Sequence, residues 1–165
     1  MSSGVLFMFS ILTSVTCSGC STSQVEPSGA VKVAGGYSLS VTAASTCQQL
    51  LWTQVGTDKS TPIDLTQNGT VIAGTLNLIN PPTLMSADVS GQIVSGNVLS
   101  VTLRYHFSSS HIGVRDVAGS GIGTVSSAGI AGTFGGSITE FAPFSSVAKI
   151  CNALDHQFVL SRVGW

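Results

Sequence analysis

The ten residues from Val98 to Phe107 alternate without interruption. Leu99, Val101, Leu103, Tyr105 and Phe107 fall on one side, and Ser100, Thr102, Arg104 and His106 on the other. Successive side chains of a strand point to opposite faces, whereas a helix would scatter this set around its axis. The pattern therefore predicts a strand with one face in a core and one in water, the arrangement that antiparallel sheets use. Tyr37 to Ala43 repeats it, with Tyr37, Leu39 and Val41 set against Ser38, Ser40 and Thr42. From Gly35 onward no amphipathic helix of convincing length competes with this reading.

Turn residues divide the rest of the chain into runs of similar length. Asn68-Gly69 separates Pro62–Gln67 from Thr70–Ile79, and both residues of the pair accept the positive φ that a tight hairpin demands. Ser95-Gly96-Asn97 does the same between Ala87–Val94 and Val98–Phe107, while Asn80-Pro81-Pro82 stops the strand before it. Cys47–Val55 reads as a turn of helix or an irregular arm. A loop around Ser108–Asp116 precedes strands at Gly121–Ser127 and Ala131–Phe141, and Asp155–Val163 is the last strand. Three segments, Gln67–Thr75, Val89–Asn97 and Val125–Thr133, share glycine followed by apolar and small residues. They read as meander turns and as strand glycines that ease bends. About eight antiparallel strands in sequence predict an all-β, up-and-down barrel over residues 35–165. A β-sandwich is the alternative, and it would need longer crossovers.

The N-terminus carries a different signal. Val5 to Val15 is an uncharged apolar run of eleven residues. At about 1.5 Å per residue it would span only about half of a ~30 Å hydrocarbon layer, too little for a membrane helix and suited to a signal peptide. Thr16-Cys17-Ser18-Gly19-Cys20-Ser21 follows at once. It resembles the lipobox of bacterial lipoproteins, in which small residues precede a cysteine that is lipidated and becomes N-terminal. The resemblance implies a signal peptide at 1–19, lipidation of Cys20, a flexible tether at 20–34 rich in Ser, Thr, Gln, Pro and Gly, and attachment to a membrane of the bacterial cell envelope. Ser21 would favour the outer membrane in a Gram-negative host. An ordinary cleaved signal peptide on a secreted protein is one alternative, and a buried cytosolic helix is another.

Cleavage would remove Cys17 and lipidation would consume Cys20, leaving Cys47 and Cys151 of the four cysteines. In an oxidising compartment these two can form a disulfide tying the end of the first strand to the start of the last; two free buried thiols are the alternative. Neither has Cys or His neighbours at ligand spacing, so no metal site is expected. Charged residues make up 8% of the chain, the net charge is −1, and the six Lys and Arg are scattered. That leaves no basic stripe for nucleic acid.

Gly35-Gly36-Tyr37-Ser-Leu39-Ser-Val41 before Cys47, Thr66 to Gly74, Ser90 to Asn97, and Cys151 followed by Phe158, Leu160 and Arg162 resemble the lipocalin-like proteins of bacterial genomes. The resemblance implies a barrel closed at one end by Arg162 over the Tyr37 ring. It also implies an interior that holds a small apolar ligand, with Tyr37, Leu39, Leu99, Val101, Leu103, Tyr105 and Phe134 as candidate lining. The plainer reading is that these seven only fill the core.

Little in the chain points to catalysis, and no cofactor is expected. His106 lies on the polar face beside Arg104, His111 sits among serines, and Asp155-His156 are adjacent and would face opposite sides of a strand. The expectation for all three histidines is a solvated surface position. No Gly-x-Ser-x-Gly elbow supplies a nucleophile, and Glu140 is the only glutamate after the tether. Gly119-Ser-Gly-Ile-Gly123 opens no helix, which argues against a phosphate cradle. Two functional classes follow: a carrier of a small hydrophobic ligand, or an envelope interaction or inhibitor module whose loops at Pro81–Asp88 and Ser108–Asp116 meet a partner protein.

Overall fold

The computed structural model describes residues 31–47, 50–51, 61–80 and 82–163. Eight strands follow one another: β1 (Gly35–Thr42), β2 (Thr61–Asn68), β3 (Val71–Asn80), β4 (Thr83–Ser95), β5 (Val98–Ser109), β6 (Gly113–Ser126), β7 (Gly129–Phe141) and β8 (Ala148–Arg162). Each is antiparallel to the next, and β1 pairs with β8, Leu39 opposite Leu160, to close a barrel. The expected all-β, up-and-down architecture is observed. Among the described residues the only helix is the 3-10 segment Ser45–Cys47, which lies just before the stretch expected to be a turn of helix or an irregular arm, Cys47–Val55, and shares only Cys47 with it.

Alternation decides which side of the wall is dry. On β5, Leu99, Val101, Leu103 and Tyr105 are buried, while Thr102 and Arg104 are exposed. The inward rows of β1 (Tyr37, Leu39, Val41), β7 (Ile130, Phe134, Ile138) and β8 (Phe158, Leu160) join the same cluster. The outer wall carries Asp88, Arg104 and Asp116 together with exposed Ile122, Leu154 and Val159. On β6 the inward positions include Gly119 and Gly123, which leave room for rings from the neighbouring strands. A Cβ added at Gly119 would stand 2.5 Å from Phe134 Cδ2, and one at Gly123 would stand 2.9 Å from Phe158 Cζ.

An up-and-down barrel puts alternate connections at opposite ends. Connections β2–β3, β4–β5 and β6–β7 are two-residue turns, with Gly69 and Gly96 at φ +59° and +51° as their sequence contexts predicted. Connections β1–β2, β3–β4, β5–β6 and β7–β8 stand at the other end, here called the loop end.

Several boundaries differ from expectation. β4 begins at Thr83, β5 continues to Ser109 and β6 starts at Gly113. The expected contact loops Pro81–Asp88 and Ser108–Asp116 are therefore mostly strand, and only Ser110–Ile112 turns. β8 starts at Ala148, so Cys151 lies within the strand and not before it. The cause is the same in each case. These extensions carry inward Arg115 and Lys149, outward Leu84 and Ile150, and a register shift near Gly135, all of which break the simple apolar alternation.

Candidate functional site

The two-residue-turn end is sealed. Val31–Ala34, expected to be the last part of the tether, packs across it, and Val33 is fully buried. Tyr37 donates its hydroxyl to the Val33 carbonyl at 2.7 Å, and Gln67 both accepts from the Val33 amide at 2.7 Å and donates to the Val31 carbonyl. The Arg162 guanidinium sits 5.5 Å from the Tyr37 ring centre and donates to the Lys32 carbonyl. Arg162 over Tyr37 is the closure expected from the sequence, a contact worth about 0.5–2 kcal/mol. Val33 was missed because an isolated valine ahead of two glycines carries no periodic signal.

The loop end is built differently. Cys47 and Cys151 form a disulfide, as expected, with 5.6 Å between their Cα atoms. The bond draws the segment after β1 inward, and Ala43, Ala44, Cys47 and Leu51 are all buried against the core. His156 is 0% exposed, in contrast to the solvated position expected for it. Its ring packs on Phe134, 5.0 Å between centres, and its Nδ1 accepts the Ala44 amide at 3.0 Å. Burial pushes its pKa below 6.5, against smaller upward pulls from the Gly136 carbonyl and Asp155. Asp155, next in sequence, is exposed on the outer face, so the adjacency does not make a catalytic pair.

Nearer the rim the interior turns polar. Arg115 and Glu140 are direct cross-strand partners, both pointing inward, and Arg115 Nε donates to Glu140 Oε1 at 2.8 Å. Lys149 is the partner of Glu140 on the other side. Sequence reasoning overlooked this group, yet parity could have found it: Arg115 shares a face with Val117, and Glu140 with Ile138. His106, half-buried, meets Asp116 across the outer wall. His111 is exposed in the β5–β6 turn, as expected.

The seven candidate lining residues come together. Tyr37, Leu39, Leu99, Val101, Leu103, Tyr105 and Phe134 all belong to one contiguous core cluster, each between 1 and 5% exposed. A void large enough for a ligand would leave its walls open to a water molecule, and these walls are closed by one another. Among the described residues, a recess of about 450 Å³ lies open to solvent, beside Ala118, Asn152 and Leu154 of the outer wall. Cys20 lies outside the described residues. No protein family, curated protein or solved structure matches this chain.

Proposed function

We propose that this chain is a cell-envelope lipoprotein, anchored through Cys20, that acts as an interaction module through its loop end and does not carry a ligand inside its barrel. The observation that carries this reading is the packed interior. The residues that would have to line a ligand site are within 5% of complete burial and touch one another. The difference between the two ends supports it. One end is stapled by Val33, Gln67, Tyr37 and Arg162. The other end presents Ile79, Ile112, Phe144 and Val147 to solvent, and although Val71 and Val94 are exposed at the stapled end, Phe144 at 100% is the most exposed large apolar group among the described residues. Catalysis has no support in the placement of the histidines, because His156 is buried against the Ala44 backbone and its neighbour Asp155 points away.

Native mass spectrometry of the protein taken from its own host tests the filled interior. The expected result is a mass that equals residues 20–165 plus the lipid on Cys20. A reproducible additional small molecule, lost in Leu103→Trp, would overturn the reading in favour of a carrier. Metabolic labelling with a palmitate analogue tests the anchor independently: label is expected in the unaltered chain and absent from Cys20→Ala, and label persisting in that variant refutes lipidation at Cys20.

A further inference from the structure

We infer that His156 is a proton-operated latch at the loop end: protonation of its ring releases the Ala44 amide and lets residues 43–46 lift from the core, while Cys47 stays pinned to Cys151 and the eight strands hold. Hydrogen-bond geometry carries the argument. The Ala44 N–H donates to His156 Nδ1 at 3.0 Å within the buried core, so Nδ1 holds a lone pair and the proton of the neutral ring is on Nε2. Protonation turns Nδ1 into a donor that faces another donor. Nε2 makes no hydrogen bond, the Gly136 carbonyl exerting only a weaker electrostatic pull. A buried imidazolium with neither N–H satisfied is a costly species, and lifting the segment above it admits the water that both N–H groups and the charge require.

The segment can move without the wall. It leaves β1 at Thr42, whose partner on β8 is Gln157, and it ends at the disulfide. Among the described residues, one of its hydrogen bonds stays inside it, from the Cys47 N–H to the Ala44 carbonyl, and the bond from Ala44 to His156 is the one that crosses to the wall. Ala43 and Ala44 bury only a methyl group each, so little apolar packing opposes the motion. The motion would uncover the inner face beside Phe134, on which the His156 ring packs.

The charges around the ring do not hold its proton. β1, β7 and the 3-10 segment pack against β8. The inner titratable group of β1 is Tyr37, at the stapled end, and that of β7 is Glu140, engaged by Arg115 at the rim. The 3-10 segment offers only Cys47, which the disulfide removes from titration. On β8 itself Lys149 is the partner of Glu140, and Asp155 lies on the outer face. Asp58 and Lys59 of the β1–β2 connection lie outside the described residues. Burial therefore dominates and keeps the His156 pKa below 6.5 while the segment is down. Water reaching the ring restores the ordinary value, so falling pH favours the lifted state. One proton is taken up, and the opening constant rises by up to about tenfold per pH unit between the two values.

The latch would make the surface assigned above to interaction sensitive to acid, but it can be tested without a partner and whether or not Cys20 is lipidated. Amide exchange of the oxidised, isotope-labelled full chain is followed by NMR between about pH 7.5 and 5, with rates divided by those of an unstructured peptide. Ala44 protection should fall by up to about tenfold per pH unit, in step with titration of the His156 ring, while the Leu103 and Leu160 amides stay protected. His156→Asn offers a carboxamide oxygen near the place of Nδ1 and takes up no proton, so Ala44 protection should then be independent of pH. Ala44 protection that stays constant across the range overturns the inference. Loss of protection at Leu103 and Leu160 together with Ala44 does so too, since the whole barrel would then be unfolding, as does an unaltered pH profile in His156→Asn. Should that variant not fold, agreement or disagreement of the two midpoints in the unaltered protein decides the matter. A small molecule found inside the barrel, or label persisting in Cys20→Ala, would end the proposed function and leave the exchange result standing.

Discussion

Removing the Cys47–Cys151 bond is the perturbation whose size can be worked most directly. The bond joins residues 104 apart in sequence. In the chain-entropy model a closed loop of that length restricts the unfolded state by about 4.7 kcal/mol at 25 °C. Total stability of a domain this size is roughly 5–15 kcal/mol, so the bond accounts for a large share of it. Both sulfurs are buried in the core, so Cys47→Ala/Cys151→Ala leaves a small apolar void and no unpaired polar group. The void adds about 1 kcal/mol to the loss. Urea titration of the oxidised protein and the double variant, followed by tryptophan fluorescence, should show a midpoint difference equivalent to about 4–6 kcal/mol. The slope should be steeper in the variant, because a chain without the link exposes more surface when it unfolds. A difference below about 1 kcal/mol would refute the reasoning. It would mean that the unfolded chain already keeps the ends of β1 and β8 close.

Four other outcomes follow from the structure. His156 has a lowered pKa in the folded state, so the unfolded chain binds the proton first as pH falls; stability should be complete above pH 6.5 and decline below it until the folded-state pKa is reached. Urea midpoints between pH 7.5 and 5 should show that decline, and His156→Phe should flatten it. Breaking the inward ion pair with Glu140→Ala should cost about 3–5 kcal/mol, while Arg115→Met/Glu140→Leu/Lys149→Met should cost less than the single change, because none of the three inward charges is then left alone. Gly123→Val should destabilise by about 1–3 kcal/mol through its clash with Ile130 and Phe158, and Phe158→Leu in the same chain should recover part of the loss in a double-mutant cycle. Arg162→Ala should lower the thermal midpoint by roughly 1–2 kcal/mol in equivalent stability, since it removes both the contact with Tyr37 and the bond to Lys32.

Where a strand buries one face and wets the other, its type and sidedness were legible in the residues. Leu99 to Tyr105 and Tyr37 to Val41 are the clear cases, and Asn68-Gly69 and Gly96 marked their turns because tight hairpins need positive φ. Legibility failed where the physics is not periodic. Arg115, Glu140 and Lys149 face inward because each has an oppositely charged neighbour in the next strand, and no single strand's sequence records that neighbour. His156 was read as a surface group because its partner, the Ala44 amide, lies 112 residues away and enters the barrel only through the disulfide. The seven candidate lining residues all fall in the buried core cluster, but sequence has no term for the space between them. Packing alone separates a pocket from a core.

That packing also bears on where a module of this kind keeps its binding capacity. A barrel that fills its interior cannot use the interior for recognition, so its chemistry must be on a rim or a wall. Here the wall is mostly Ser, Thr, Asn and small residues, and the His106 ring is hydrogen-bonded to Asp116 across it. The sealed end spends its polar groups on itself: Gln67, Tyr37 and Arg162 all bond to the Val31–Val33 backbone. Among the described residues, large apolar side chains are exposed at the loop end (Ile79, Ile112, Phe144, Val147), on the wall (Ile122, Leu154) and at the stapled end (Val71, Val94), and Phe144 of the loop end is the most exposed of them. The Cys47–Cys151 bond fixes the inner side of that same end, with Ala44 and Leu51 packed beneath the rim. The disulfide therefore holds the loop end in place as well as adding to stability, and its loss should raise amide exchange at Ala44 and Leu51 even under conditions where the barrel stays folded.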